Sequence, residues 1–271
     1  MRFFQNLLRI FDTPMKTPTL FGWFHLLWLG ITLGAALLLI QIQKKTHSEK
    51  LPHYVIFITA ITVTVLEIYK QINFSFGYEN GITFDYQWYA FPFQFCSTPM
   101  YVGLLAGIIK KGKVHNALAA YLATFAMFAG LCVMVYPGDV FIETIGINIQ
   151  TMVCHGSMIT VGIYLLATGY VKPEHKTILR ALPVFCAAAL VAIVMNEIAY
   201  YTGLLKTDYF NMFYFSPHCD PHLPVFSLVQ SAMDAPIIEI VIYIAGFTAA
   251  AYLILLAAIG IKQLSKKKAP V

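Results

Sequence analysis

The chain has 271 residues, 59% of them hydrophobic and 11% charged, with a formal net charge of +5. Soluble domains carry about a quarter charged residues, so this composition excludes an ordinary soluble fold and makes lipid part of the solvent. The positive charge is not a nucleic-acid signal, because it falls in short clusters between apolar stretches, and no nucleic-acid partner is expected.

Residues 1–17 come first. Phe3, Phe4, Leu7, Leu8 and Phe11 fall near helical spacing with Arg2, Gln5 and Arg9 between them. The pattern suits an amphipathic helix lying in the membrane interface, or else a frayed tail. It is not that of a cleaved signal peptide, since the long apolar stretch begins late and no small-residue cleavage site follows.

A membrane-crossing helix needs roughly 20 apolar residues. Seven segments qualify: Phe21 to Ile42, Leu51 to Tyr69, Trp88 to Ile109, Asn116 to Tyr136, Ile147 to Ala167, Ala181 to Tyr201 and Ala235 to Ile261. The second is the weakest, because Glu67 and Lys70 crowd its end. The reading is an all-α polytopic bundle of about seven transmembrane helices over residues 18–262, followed by a basic cytoplasmic tail at 263–271. No internal repeat or linker divides it.

Orientation follows from the cations. Lys44, Lys45 and Lys50, then Lys110, Lys111 and Lys113, then Lys172, Lys176 and Arg180, and finally Lys262, Lys266, Lys267 and Lys268 fall on alternate connections, hence on one side. The positive-inside rule makes that side cytoplasmic and puts the N-terminus outside. Arg2, Arg9 and Lys16 weigh against this. An even number of spans, with Leu51 to Tyr69 re-entrant, would relieve it. The expected location is the cytoplasmic membrane of a bacterium.

Ionisable groups inside a bilayer are costly and line cavities or pair with one another. Here they gather in the outer half. Glu67 ends the second span, Gln94 and Cys96 lie in the third, Thr151 and His155 in the fifth, Asn196 and Glu197 in the sixth, and Glu239 starts the seventh. At about 1.5 Å per residue, Cys96 and His155 both lie about 12 Å deep. Each also has a plainer reading. The carboxylates could reach water, the amides could bridge helices, and buried cysteine packs as a small apolar residue, as expected of Cys132, Cys154 and Cys186. Pro92 and Pro99 flank Cys96, and Pro99 cannot donate to the Phe95 carbonyl, which should be left free beside the thiol.

Ser216 to His222 places His218, Cys219, Asp220 and His222 in one outer loop. Pro217 and Pro221 stiffen it and no metal-ligand spacing recurs. It reads as a polar turn capping the cavity, with His218 and His222 weak metal candidates. The seventh span has no lysine, which excludes a retinal Schiff base there. No phosphate-binding loop of the Walker type occurs, and no inverted repeat with broken helices is evident.

Phe91-Pro-Phe-Gln-Phe-Cys96 resembles the Leu-Pro-x-His/Gln-x-Cys signature of the YwaF-type bacterial integral membrane proteins. These are similar to a eukaryotic multispanning family of phospholipid acyltransferases. A histidine in a later span completes that pattern, here His155. An Asn-Tyr-Met-like stretch before the last span resembles Asn211-Met212-Phe213-Tyr214, where this sequence departs by having Met212 in place of the tyrosine. The resemblance covers roughly Leu51 to Ile261. It implies cofactor-free, cysteine-dependent acyl transfer between phospholipids and lysophospholipids. Cys96 would be the nucleophile and His155 its base. On chemical grounds Gln94, Asn196 or a freed backbone group could stabilise the oxyanion, a carboxylate such as Glu197 could orient the histidine, and Glu67, Thr151, Glu239 and Asn211 are expected to line the cavity; the resemblance itself carries no function onto Glu67, Glu197 or Glu239. A lipid hydrolase, a transporter or receptor with an outer polar cavity, and a structural partner subunit are the competing readings.

Overall fold

The computed structural model describes residues 2–79, 81–203, 210–220, 223, 226–233 and 235–267. Six helices are long and apolar enough to cross a membrane: α2 (Trp23–Thr46), α3 (Leu51–Ser75), the composite helix Lys113–Val135, α7 (Ile145–Ala167), α8 (Lys176–Thr202) and α10, whose spanning part is Pro236–Ser265. The composite helix is α5 (Lys113–Tyr121) joined to α6 (Met127–Val135) by a π-helical turn at Leu122–Ala126. The protein is a helical membrane bundle.

The third apolar stretch departs from expectation. Its only α-helix is α4 (Thr98–Ile108), preceded by a 3-10 turn at Trp88–Ala90 and irregular backbone. Eleven residues rise about 16 Å, roughly half the hydrocarbon core. Two prolines explain the break. Phe91 is extended (φ −51°, ψ 134°), as residues before proline are, and Pro99 fits only in the first turn of α4. So one broken helix is present, and the 12 Å helical depth assigned to Cys96 does not apply. The chain still traverses the bundle here. Gln71 donates to the Ala90 carbonyl at the start (2.8 Å), and Lys111, just past α4, reaches the Glu49 carbonyl at the opposite end (3.4 Å). The segment Leu51 to Tyr69 is a full helix, not a re-entrant one.

Residues 2–11 form α1, folded against the outer end of α3. The Tyr69 hydroxyl donates to the Phe11 carbonyl (2.6 Å), and Phe4 packs edge-on against Phe76. Asp12 accepts from Tyr78 (2.9 Å) and Thr144 (3.1 Å), and Pro14 pairs with Thr144. These bonds put the N-terminal segment at the same end as two outer loops. One of those loops is a short hairpin, β1 (Phe76–Gly77) against β2 (Thr83–Phe84). A last short helix, α9 (Phe226–Ala232), precedes α10.

Between lipid-embedded helices there is little hydrophobic driving force, so close van der Waals packing carries the association. Glycines supply it here. A Cβ on Gly130 would lie 2.6 Å from the His155 carbonyl oxygen, one on Gly103 2.8 Å from the Ala60 Cβ, and one on Gly156 2.5 Å from the Thr32 hydroxyl. Gly130 is the least forgiving, since the obstacle is backbone. A second knot is aromatic: the Phe185 ring is surrounded by Phe125 (4.5 Å), Phe95 (5.4 Å), Phe247 (6.1 Å) and Phe213 (6.3 Å). Gly130→Ala should push α6 and α7 apart and cost about 1–3 kcal/mol, seen as a lower unfolding midpoint in detergent. Ala60→Gly, which removes bulk where Gly103 meets α3, should have a milder effect.

Candidate functional site

The site begins at the break before α4. The Gln94 carbonyl accepts from the amides of Ser97 (2.8 Å) and Thr98 (3.2 Å), which closes a tight turn around Cys96. The Phe95 carbonyl is not free, as the sequence suggested. Thr98 Oγ1 donates to it at 2.8 Å. That spends the threonine's one proton, so the Tyr121 hydroxyl, 2.5 Å away, is the donor to Thr98. Cys96 is partly buried, with the Ser97 hydroxyl beside its sulfur and the N-terminus of α4 two residues on.

Gln94 and Asn196 have their amides engaged with one segment. Gln94 donates to the Asn211 carbonyl and accepts from the Phe213 amide, both at 2.9 Å. Asn196 donates to the Met212 carbonyl (3.0 Å) and accepts from the Met212 amide (2.8 Å). Asn211 accepts from the Ser216 amide through its own side chain (2.9 Å). These bonds hold Phe213 and Tyr214 in the left-handed region (φ 62° and 58°), which costs a non-glycine residue about 1–3 kcal/mol. Phe213 is fully buried there. The Asn211–Ser216 segment is thus pinned into the bundle beside Cys96.

Among the described residues three histidines are buried: His25, His115 and His155. His25 bonds the Met134 carbonyl (2.8 Å) and the Phe21 amide (3.0 Å). His115 bonds the Ala106 carbonyl (3.0 Å) and the Tyr170 hydroxyl (2.7 Å). Both nitrogens are used in each, as in structural histidines. His155 differs. Its Nδ1 faces the Thr151 carbonyl at 2.7 Å, while its Nε2 is buried with no hydrogen-bond partner among the described residues. A carbonyl can only accept, so the neutral ring carries its proton on Nδ1 and leaves a bare lone pair on Nε2. The group that orients His155 is therefore the Thr151 carbonyl, one helical turn back.

Beside it runs a buried polar chain. Lys70 pairs with Glu67 at 2.8 Å, their side chains 17% and 9% exposed. Gln71 donates to the same Glu67 oxygen (2.8 Å). Gln150 lies 3.5 Å from the other Glu67 oxygen and 3.3 Å from Cys154 Sγ, and Thr151 donates to Gln150 (3.5 Å). Gln71 also reaches the Ala90 carbonyl and Gln150 comes from α7, so the start of the broken segment and α7 meet around this pair. Sequence reading named Glu67 but not Gln71 or Gln150. The signal was the helical spacing of Glu67, Lys70 and Gln71, which puts all three on one face.

The other expected residues lie apart. Glu197 pairs with His218 (3.1 Å) near the outer surface, where the His218 ring stacks on Tyr200 at 3.6 Å. Glu239 accepts from the Ala235 amide (3.1 Å) and caps α10. Cys219 Sγ lies 3.5 Å from the Phe210 carbonyl, and burial pushes its thiol up from the ordinary value. His222 lies outside the described residues. Among the described residues no group of three or more His, Cys, Asp or Glu could hold a metal. Cys132 sits on the exposed surface of α6.

A cavity of about 440 Å³ opens between the outer part of α3, the hairpin and the broken segment, with Glu67, Gln71 and Ser75 in its wall. Thr151, Glu239 and Asn211 do not line it. Lys70→Met should strand the Glu67 carboxylate and cost about 3–5 kcal/mol, whereas Lys70→Met combined with Glu67→Leu should recover most of that loss. Thermal unfolding of the purified variants checks both.

Comparison with known proteins places these features in a family. No curated protein and no solved structure matches the chain. The model of the TMEM164 family matches residues 20–261, a range that contains the broken segment, Cys96, the Glu67–Lys70 pair and His155, and the chain belongs to the TMEM164 family.

Proposed function

We propose that this protein is a membrane-embedded acyltransferase that moves a fatty-acyl group between glycerophospholipids through a thioester on Cys96. The observation that carries the reading is the His155 ring, buried, locked in one tautomer, with an unpartnered Nε2. Leaving a buried acceptor unpaired costs about 1–3 kcal/mol. A base that must receive a proton gives that arrangement a use.

Three features support Cys96 as the proton's source. It lies at the N-terminal end of a half-helix, whose partial positive charge favours a thiolate. It sits in irregular backbone, which is tolerated at membrane depth where it borders a polar cavity. It lies in the segment whose start, at Ala90, is tied through Gln71 to Glu67, the residue that Gln150 of the His155 helix also approaches. In the first half-reaction the Cys96 proton passes to His155 Nε2 through a bridging water, because Cys96 Sγ is not itself a hydrogen-bond partner of that nitrogen. The sulfur attacks the ester carbonyl carbon, the carbon–oxygen bond breaks, and the departing lysophospholipid oxygen takes the proton from His155. In the second half a lysophospholipid hydroxyl gives its proton to His155 and attacks the thioester, and the sulfur leaves as thiolate and is reprotonated. Gln94 and Asn196 act in this scheme by holding the Asn211–Ser216 segment against the broken strand. No cofactor enters.

A hydrolase would share the first half and use water in the second. Purified protein in liposomes with an isotope-labelled diacyl phospholipid and an unlabelled lysophospholipid should yield labelled acyl exchange without release of free fatty acid. Cys96→Ala and His155→Ala should each lower exchange by about 100-fold or more with unfolding temperatures close to that of the parent. Exchange at the parent rate in Cys96→Ala would rule the thioester out.

A further inference from the structure

The cavity beside the Glu67–Lys70 pair is an open cleft rather than an interior void, and at about 440 Å³ it falls within the ~300–1,000 Å³ typical of ligand sites. Its wall also holds an unsatisfied group. Ser75 Oγ is buried, in a residue only 4% exposed, and has no hydrogen-bond partner among the described residues.

The chemistry of the wall selects among ligands. Most of its surface is apolar, from residues such as Ile68, Ile72 and Phe84. Its one carboxylate, Glu67, is already matched by Lys70 and Gln71, so there is little net charge to recognise an ion. The remaining polar groups include the hydroxyls of Ser75, Tyr86 and Tyr101, which can donate to an ester carbonyl. The mouth faces lipid. Ile58, Ile61, Val65 and Ile68 form an exposed stripe along α3 at helical spacing, and Ile68 is at once part of that stripe and of the cavity wall. Phe84, 64% exposed, stands on the hairpin side. At the inner end the wall includes Pro92 and Met100, four residues on either side of Cys96.

We propose that this cavity takes one acyl chain of a bilayer phospholipid, admitted sideways between α3 and the β1–β2 hairpin, with its ester at the end of the cleft that Ser75, Tyr86 and Tyr101 line. The inference rests on the acyl-transfer reading for the fate of the bound lipid, but the binding itself does not require it. The chain enters past Ile68 and Phe84, and the ester stays near the headgroup level beside the pinned strand that carries Cys96.

The full-length protein would be reconstituted in phosphatidylcholine liposomes containing a phosphatidylcholine with a diazirine on its sn-2 chain, irradiated, and its adducts mapped by mass spectrometry. Adducts should concentrate on residues 64–76 and 84–101. Filling the cavity by Thr64→Trp, or independently by Ile72→Trp, should reduce them at least fivefold while labelling of the exposed face of α2 around Leu33 and Leu37 stays constant. Cys96→Ala should label like the parent. Adducts spread evenly over the lipid-facing helices, or unchanged by both filling variants, would overturn the cavity assignment. Failure of the acyl-transfer reading has a separate signature: concentrated labelling together with acyl exchange that survives Cys96→Ala.

Discussion

Irregular backbone can exist inside a bilayer only where protein groups satisfy its N–H and C=O groups, because no water is there to do so. The broken third segment puts that demand at the centre of this molecule. Two prolines prevent one continuous helix from Trp88 to Ile109, and the neighbouring helices supply what the missing helix would have. Thr98 caps the Phe95 carbonyl, and Tyr121 donates in turn to the Thr98 hydroxyl. Gln94, itself in the break, uses its amide to hold a second irregular segment, which Asn196 grips from α8. The two irregular stretches are thus solutions to each other's hydrogen-bonding problem. Their rings, Phe93, Phe95 and Phe213, pack together, and the strained backbone at Phe213 is held by both kinds of contact.

The Glu67–Lys70 pair follows from the same economy of polar groups. A lone carboxylate at this depth would be neutralised or drawn to water. Here Glu67 has a lysine three residues on and glutamines from its own helix and from α7. The pair is therefore satisfied and serves as a fixed electrostatic landmark between α3, α7 and the break. Among the buried histidines of the described residues, His155 alone has a ring nitrogen without a partner, and this sets it apart from His25 and His115. Its position depends in turn on tight packing, since Gly130 lets α6 approach the His155 backbone more closely than any side chain would allow.

Much of the bundle was legible from composition and periodicity. A run of about 20 apolar residues has few fates other than a crossing helix, and six of the seven expected segments are such helices. The polar outer layer was legible too, because each ionisable residue in an apolar run stands out. The partners of those residues were not. Gln94 and Asn196 gave no hint that they would spend their amides on partners 16 to 119 residues away, and Glu197 and Glu239 are taken up by His218 and by the start of α10.

By itself, then, the amino-acid sequence determined a helical membrane protein, six of its spanning helices, and which polar residues lie within its apolar runs. These depend on local properties: hydropathy over a window, and residue type. The tertiary structure decided that the third apolar stretch is a half-helix preceded by irregular backbone, that the amides are scaffolding, and that a cavity lies beside Glu67. It also decided which nitrogen of His155 is bare. Each of these depends on which groups from distant helices satisfy one another's hydrogen bonds, and that pairing exists only once the helices have packed.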